Sequence, residues 1–333
     1  MKNLFVLYGL VLLFSCNQNR QTTITGQHLT NIKSAGQIFG TSYSIIYESE
    51  TNYQKQFDSL FQVINNSLST YLPNSDISKL NRNEEVFVDN HFVEVFETSR
   101  EIYKRTQGHF DPTIGAVVNA WDFGPQGEIL NIDSLKIDSL MAGVGLSKVK
   151  LNNNKVNKPD LTFLDFNAIA KGYGVDVIAN FLSEKEIANY LVEIGGEIHA
   201  NGKNVEKEKP WKVGVEMPRF DGLQSVLKAI SLENEAMATS GTYRKFKVDD
   251  EGNRYSHIID TKTGYPSKTN LLSVSVLAEN CMVADAYATA FKAMGVNRVK
   301  AFLKTNPELK VFLIFENDLG ELKTLALNGF PEN

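Results

Sequence analysis

The stretch YLVEIGGEI, residues 190–198, decides the class of fold, because a strand runs straight into a glycine turn with no crossover helix. Residues 190–194 are mostly apolar and are followed by Gly195-Gly196, which predicts a strand that ends in a plain turn. Strand-like segments follow at 211–216, 226–232, 244–248, 254–260 and 271–278. Strands that follow one another directly and outnumber crossover helices favour an α+β fold with mostly antiparallel pairing over a doubly wound sheet.

Helical segments are interspersed with these strands. Apolar residues at helical spacing predict helices over 53–70, 91–107, 167–182, 281–294 and 297–305. Further strands are predicted at 161–166, 310–315 and 321–327. Two loops, 69–81 and 106–125, follow the first two helices and are rich in turn-forming and aromatic residues. The chain has 333 residues, of which 42% are hydrophobic, enough for one large or two ordinary domains.

The first residues have the pattern of a targeting segment. Lys2 precedes an apolar run, which predicts a signal peptide over 1–15; the run is too short for a bilayer span, which needs about 20 apolar residues. LFSC (13–16) resembles a lipobox, so Cys16 is the predicted lipidated residue; an ordinary secretory signal with a chance cysteine is the alternative. Residues 16–33 are polar and predict a tether to a body over 34–333. We expect a membrane-anchored lipoprotein that faces the periplasm or the cell exterior.

The net charge limits the possible binding partners of the chain, and the cysteine content limits its possible disulfides. The formal net charge of −5 argues against a nucleic-acid partner, because nucleic-acid-binding proteins are usually basic. Because the chain is acidic overall, binding of an anionic small molecule would require a local positive group, such as a metal ion or a helix N-terminus. Cys281 is the only cysteine besides Cys16, so we expect no internal disulfide and interpret Cys281 as a small core residue.

Candidate metal ligands lie in the predicted helix CMVADAYATAFKAM (281–294). Asp285 and Thr289 are four residues apart and therefore share one helical face. The alanines around them leave room for a ligand, and hard cations such as Mg²⁺ take oxygen ligands of this kind. Taken alone, however, the pair is better explained as part of a solvated helix face.

The segment DFNAIAKGYGVD (165–176) brings Asp165 and Lys171 to the start of a helix. Gly172 and Gly174 each lower helix propensity by about 1 kcal/mol, which indicates close approach of a ligand or of another backbone. A helix start with a nearby lysine suits a phosphate, but tight packing explains the glycines equally well. The segment is not a dinucleotide fingerprint, because Val177 stands where its third glycine belongs.

Loop residues complete the set of candidates. GHFDPT (108–113), Tyr71 and Trp121 supply rings that could stack on a flat ligand, although such rings more often cap a core. RYSHIIDTKTGYP (254–266) places His257 at the end of a predicted strand. In isolation, a satisfied structural histidine is the simpler interpretation of His257.

Taken together and in order, these segments resemble the ApbE family of FAD:protein FMN transferases. The resemblance runs from FGTSYSI (39–45) to DAYATAFKAMG (285–295) and also includes STYLPNSDISKLN (69–81), LVEIGGEIHANGKN (191–204) and ATSGTYRKF (238–246). It implies a T-fold-like α+β body with the active site in a central cleft. It also implies Mg²⁺-dependent transfer of the FMN half of FAD to a threonine or serine hydroxyl of an acceptor flavoprotein, through a phosphoester bond and with release of AMP. Subunits of membrane ion-pumping oxidoreductases are the usual acceptors of the family.

By position, the resemblance implies a role for each candidate residue. Asp285, Thr289 and the backbone carbonyl of Ala168 would be metal ligands. His257 would be the base at the reacting phosphate, and Asp260 could support it if the turn has already begun there. The residues that would contact FAD are Phe39, Tyr71, His109, Phe110, Asp111, Asp165, Lys171 and the backbone at Ile259.

Three positions depart from the family pattern, and two alternative functions stay open. Phe39 stands where methionine is common, Glu193 where asparagine is usual, and Thr261 where proline usually follows Asp260. The last change puts the rigidity of the turn near His257 in question. An FAD pyrophosphatase would give FMN and AMP with the same residues. A lipid-anchored FAD-binding protein without catalysis would need neither His257 nor the metal ligands.

Overall fold

The computed structural model describes residues 30–332 apart from 128, 130, 131, 244, 245, 249–251 and 253. The predicted signal peptide, Cys16 and the tether up to residue 29 lie outside the described residues. Residues 31–33 were predicted to belong to the tether, but they already form part of the first strand. Within the described part of the chain, we find no helix that combines the length and the apolar character of a membrane span.

The secondary structure begins with a hairpin and ends with a hairpin. The strands are β1 (Asn31–Ile38), β2 (Thr41–Glu48), β3 (Lys150–Asn152), β4 (Lys155–Asn157), β5 (Tyr190–Ile194), β6 (Glu197–Asn201), β7 (Lys203–Asn204), β8 (Lys209–Glu216), β9 (Val226–Leu232), β10 (Glu235–Gly241), β11 (Phe246–Val248), β12 (Arg254–Ser256), β13 (Leu271–Ala278), β14 (Lys310–Glu316) and β15 (Leu322–Leu327). The helices are α1 (Gln54–Leu68), α2 (Asp76–Asn81), α3 (Asn90–Arg105), α4 (Gly115–Ala120), α5 (Ser134–Met141), α6 (Ala170–Glu184), α7 (Cys281–Met294) and α8 (Val296–Leu303), with a 3-10 turn at Leu146–Lys148.

Eight strands form one sheet in the order β1-β2-β5-β6-β10-β13-β14-β15. Every pair of neighbours in it is antiparallel, which confirms the expected α+β class. The stretch at 190–198 forms the β5–β6 hairpin, because Gly195 and Gly196 take φ values of 64° and 101°. Glu193 Oε1 accepts a hydrogen bond of 2.7 Å from the N–H of Gly196. Glutamate at this position therefore closes the turn.

The sheet separates two apolar layers. On one face, α6 and α7 pack against the central strands, and α1 and α3 cover these two helices. On the other face, Trp211 of β8 and Ile230 of β9 pack with Met237, Phe312 and other residues of the sheet. The helical layer forms one wall of the candidate site described below.

Close contacts of α6 with α7 and with the β1–β2 hairpin account for the two glycines of the 165–176 segment. A Cβ at Gly172 would lie 2.3 Å from the carbonyl oxygen of Cys281, and a Cβ at Gly174 would lie 2.7 Å from the ring of Phe39. Asp176 of α6 accepts hydrogen bonds from the N–H groups of Cys281 (2.9 Å) and Met282 (2.8 Å) at the start of α7. Close packing therefore explains both glycines, and Cys281 is a free, buried core residue as expected.

Two expectations about secondary structure were wrong, and a central strand was not predicted. Residues 161–166 do not form a strand, because the N–H of Leu164 donates to Asn81 Oδ1 and that of Asp165 to the carbonyl of Pro112, at 2.8 and 2.7 Å. The loops 69–81 and 106–125 contain the short helices α2 and α4. Finally, β10 lies in the middle of the sheet and was not predicted, because its sequence EAMATSG lacks the β-branched alternation typical of strands.

Candidate active site

A cleft of about 1040 Å³ lies beside the N-terminal end of α6 and along one face of α7. Small-molecule sites typically measure roughly 300–1,000 Å³, so the cleft can hold a ligand as large as a dinucleotide. It is lined by all the residues that the resemblance singles out, which are Phe39, Tyr71, His109, Phe110, Asp111, Asp165, Ala168, Lys171, His257, Ile259, Asp285 and Thr289. These residues come from separate segments, and only the tertiary fold brings them together.

Asp285 caps the start of helix α6. The N–H of Gly172 is one of the first N–H groups of α6, which have no partner within the helix, and it donates to Asp285 Oδ2 at 3.0 Å. Ala168 precedes the N-cap residue Ile169, so its carbonyl lies outside the helical hydrogen bonds, and Ala168 lines the cleft. Burial raises the pKa of Asp285, while Lys171 acts in the opposite direction.

Residues with oxygen atoms suited to a hard cation line this part of the cleft. The hydroxyl of Thr289 shares a hydrogen bond of 3.0 Å with that of Ser240 on β10, and Asp285 lies one turn earlier on α7. Within the described ranges, no group of three or more His, Cys, Asp or Glu side chains could hold a metal ion. The donor set is instead a carboxylate, a hydroxyl and a backbone carbonyl. Such a set fits Mg²⁺, which often takes one or two carboxylates and completes its shell with waters and substrate phosphates.

Lys171 and Glu197 form an ion pair in the cleft. Lys171 Nζ lies 2.7 Å from Glu197 Oε1. Burial alone would lower the pKa of Lys171, but the carboxylates of Glu197 and Asp285 outweigh it and raise this pKa. Burial raises the pKa of Glu197. Sequence reasoning missed Glu197, although it stands directly after the glycine turn, at the first position of β6.

Two aromatic rings frame the entrance on the side of α1. Phe39 lies at the tip of the β1–β2 hairpin with a φ of 51°, followed by Gly40 with a φ of 74°. A bulky residue rarely adopts a positive φ, and the ring is held against Phe61 at a centroid distance of 5.7 Å. Phe39 thus supplies a rigid apolar wall in place of the usual methionine. The ring of Tyr71 is 55% exposed and is free to stack on a flat ligand.

The acidic residues of the 106–125 and 161–170 segments are anchored by local bonds. Asp111 Oδ1 accepts from the N–H of Thr113 at 2.9 Å and from its hydroxyl at 2.6 Å, and burial raises the pKa of Asp111. Asp165 Oδ1 accepts from the N–H of Asn167 at 2.8 Å. Phe110 lines the cleft but also belongs to the main apolar core. Its side chain therefore packs in the core and is also available to contact a ligand.

His257 follows β12 and reaches the cleft beside Phe123. The two rings meet edge to face at a centroid distance of 6.2 Å. Two residues further on, Ile259 pairs with Pro266, and the flanking hydrogen bonds join Asp260 to Tyr265 and Ser267 to Ile258. Ile259 is therefore at a non-hydrogen-bonded position, where its N–H and C=O point away from the paired segment. This backbone is suitably placed to contact a ligand in the cleft.

The turn after Ile259 is held by its own side chains. The Thr261 hydroxyl donates to the carbonyl of Gly108, and Lys262 Nζ donates to that of Gln107. Trp121 Nε1 donates to the carbonyl of Gly264 at 2.9 Å, so Trp121 has a structural role and is not part of the cleft lining. Threonine in place of proline thus replaces a fixed backbone angle with a tertiary hydrogen bond.

Asp260 and His109 are the chain neighbours of Thr261 and Gly108, which are joined by the hydrogen bond of the Thr261 hydroxyl. Asp260 Oδ1 accepts from the N–H of Lys262 at 2.8 Å, so the turn has already begun at Asp260 and its carboxylate caps it. Burial lowers the pKa of His109, and the charges of Arg298 and Lys262 lower it further. His109 Nδ1 is buried and has no hydrogen-bond partner in the described part of the structure, which leaves it available to a ligand.

The chain is similar to known proteins over nearly its whole length. The model of the ApbE family matches residues 39–313. The FAD:protein FMN transferase of Vibrio cholerae is 35% identical over 341 residues and covers 98% of this chain and 97% of its own length. That of Haemophilus influenzae is 35% identical over 308 residues, with coverages of 87% and 88%.

Solved structures of flavin transferases have a similar fold. The flavin transferase ApbE from Vibrio cholerae superimposes with a TM-score of 0.80 at 33% identity, covering 90% of this chain and 97% of that one. The flavinyl transferase ApbE from Pseudomonas stutzeri gives 0.79 at 26% identity, with coverages of 90% and 95%. The architecture described above is therefore shared over almost the entire length of these proteins.

Proposed function

The chain belongs to the ApbE family, and on this premise we propose that it transfers FMN from FAD to an acceptor protein within the cleft. The observation that carries the proposal is the convergence of residues from separate segments on one cavity of about 1040 Å³. The cavity combines aromatic walls, a lysine and a set of oxygen ligands. This combination suits a substrate with flat rings at its ends and a diphosphate between them.

The reaction replaces the phosphoanhydride bond of FAD with a phosphoester bond to the acceptor. A hydroxyl oxygen of an acceptor threonine or serine forms a bond to the phosphorus of the FMN half of FAD. The P–O bond to the AMP half breaks, and AMP leaves with the electron pair. The ammonium of Lys171 lies in the cleft and would offset negative charge on the diphosphate. The aromatic walls at Phe39 and Tyr71 would hold the ring systems and limit the access of competing water.

We propose Mg²⁺ as the cofactor, held by Asp285, Thr289 and the carbonyl of Ala168. When bound to the diphosphate, the ion would supply charge neutralisation without proton transfer. Support comes from the hard oxygen donors and from the position of Ala168 before the N-cap of α6, which leaves its carbonyl outside the helical hydrogen bonds. Replacement of Asp285 by asparagine is expected to weaken Mn²⁺ binding, measured by electron paramagnetic resonance, and to abolish Mg²⁺-dependent transfer. Normal turnover of this variant with a chelator present would rule out the metal assignment.

His257 would accept the proton of the acceptor hydroxyl. A hydroxyl is a weak nucleophile near neutral pH, and histidine is the usual base for such a step. The imidazole lines the cleft and packs against Phe123, which restricts its orientation. The neighbouring turn is secured by the Thr261 hydroxyl, so the backbone that carries His257 has a defined position.

The decisive experiment uses intact-mass spectrometry. A threonine-containing acceptor domain would be incubated with the purified protein, FAD and Mg²⁺, alongside a matched acceptor with alanine at that threonine. A mass increase equal to FMN on the threonine form alone is the expected result. Free FMN and AMP without a modified acceptor would instead identify an FAD pyrophosphatase.

We also propose a cellular setting for the reaction. The LFSC sequence at 13–16 supports lipid attachment at Cys16 and a membrane-anchored body that faces the periplasm or the cell exterior, near membrane-bound acceptors. A subunit of a membrane oxidoreductase is the proposed acceptor. Metabolic labelling with a fatty acid should mark the wild type but not a Cys16→Ala variant. Equal labelling of both would exclude Cys16 as the attachment point.

A further inference from the structure

Glu197 is a buried carboxylate to which neither the sequence motifs nor the resemblance assigns a role. It begins β6 directly after the Gly195-Gly196 turn, is 2% exposed and lines the cleft. Its Oε1 lies 2.7 Å from Lys171 Nζ. Its Oε2 is buried and lacks a hydrogen-bond partner among the residues that the structure describes. An unpaired buried carboxylate oxygen is costly, which indicates that a component of the loaded site completes it.

The charges around Glu197 explain what it could do. Lys171 interacts electrostatically with both Glu197 and Asp285. Its hydrogen bond holds the ammonium at Glu197, whereas Asp285 Oδ2 is bonded to the N–H of Gly172. If Glu197 carried no charge, Asp285 would be the remaining carboxylate for Lys171. The ammonium would then compete with any cation that needs Asp285 as a ligand.

We propose that Glu197 is a positioning residue for the cation site. It holds Lys171 away from Asp285, and its second oxygen accepts a hydrogen bond from the hydration shell of the cation. This inference rests on the proposed function, because it takes a divalent cation and a diphosphate as ligands of the cleft. Mg²⁺ keeps several of its waters when it binds to proteins. Loss of a residue that hydrogen-bonds the ligands of a metal typically weakens metal binding by roughly 10–100-fold.

Replacement of Glu197 by glutamine tests this role directly. The amide keeps the shape of the side chain and can still accept a hydrogen bond from Lys171, but the negative charge is lost. We would measure Mn²⁺ affinity by electron paramagnetic resonance with the full chain and ADP as an unreactive diphosphate. A decrease of roughly 10–100-fold is expected. The matched control is Glu235→Gln, which removes a carboxylate that pairs with Lys310 elsewhere on the sheet and should leave Mn²⁺ affinity unchanged.

Two results would overturn the proposal. The first is wild-type Mn²⁺ affinity in a folded Glu197→Gln variant with an altered melting temperature, because Glu197 would then be only a structural partner of Lys171. The second concerns Lys171→Met, measured with Mn²⁺ alone and without ADP, so that the proposed contact of Lys171 with the diphosphate does not enter; this variant removes the competing ammonium and should leave Mn²⁺ binding equal or tighter. A weakening as large as that of E197Q would contradict the competition. A wild type that binds no Mn²⁺ and transfers no FMN would overturn the proposed function itself, and the two failures are therefore distinguishable.

Discussion

The fully buried Lys292 gives the sharpest prediction of a change in stability. Lys292 lies near the end of α7, is 0% exposed, and its ammonium donates to Thr269 Oγ1 at 3.1 Å. Burial lowers the pKa of Lys292 from 10.5 to about 8. Because one pH unit corresponds to about 1.4 kcal/mol, charging this residue near pH 7 lowers the free energy of unfolding by about 3 kcal/mol. A Lys292→Met variant, of similar shape and without charge, should therefore be about 2–3 kcal/mol more stable than the wild type at that pH.

The sign of the pH dependence follows from the direction of the shift. Between about pH 8 and pH 10.5 the unfolded chain binds more protons at Lys292 than the folded one. Stability of the wild type therefore rises with pH in this window, and the penalty is complete below it. The advantage of the variant should shrink to about 1 kcal/mol at about pH 10. In the variant, the Thr269 hydroxyl still donates to the main-chain carbonyl of residue 292, a bond of 3.2 Å in the wild type.

Urea unfolding of both proteins at about pH 7 and about pH 10 would measure this difference. Lys300→Met is the matched control, because Lys300 is an exposed lysine on the neighbouring helix α8 and its replacement should change stability little at either pH. A variant at 292 that is less stable than the wild type at pH 7 would show that the ammonium is stabilised in the core. An advantage that does not depend on pH would show that packing, and not charge, is responsible.

Three further predictions concern the cleft and its support. His257→Ala should bind FAD as the wild type does but transfer FMN about 10²–10⁴-fold more slowly, and equal single-turnover rates would remove His257 from the chemistry. Thr261→Ala should lower kcat more than FAD affinity, because the hydroxyl bond to Gly108 holds the turn near His257; Thr261→Ser should restore the rate, and failure to do so would exclude that bond as the cause. Gly172→Ala would place a Cβ 2.3 Å from the Cys281 carbonyl and should cost about 1–3 kcal/mol in thermal unfolding, so an unchanged melting temperature would show that α6 and α7 separate easily.

Local patterns accounted for much of the fold. Apolar residues at helical spacing correctly predicted α7, including both of its ends, and the apolar run ended by the glycine pair correctly predicted β5 and the turn after it, although β6 was not predicted. These features depend on residues close in sequence, since helical periodicity and turn conformation are local properties. The same locality explains the error at 161–166. That segment is apolar like a strand, but its backbone bonds to Asn81 and Pro112.

The sequence by itself determined which residue types could carry the chemistry: a carboxylate and hydroxyl on one helical face, a lysine at a helix start, and a histidine at a strand end. Only the tertiary structure decided how these groups are used. The hydrogen bond from Gly172 to Asp285 joins residues 113 positions apart, and it ties the start of α6 to α7. The burial of Glu197 against Lys171 likewise depends on β6 meeting α6. Contacts of this range arise from packing between distant segments, and no local spacing of residues encodes them.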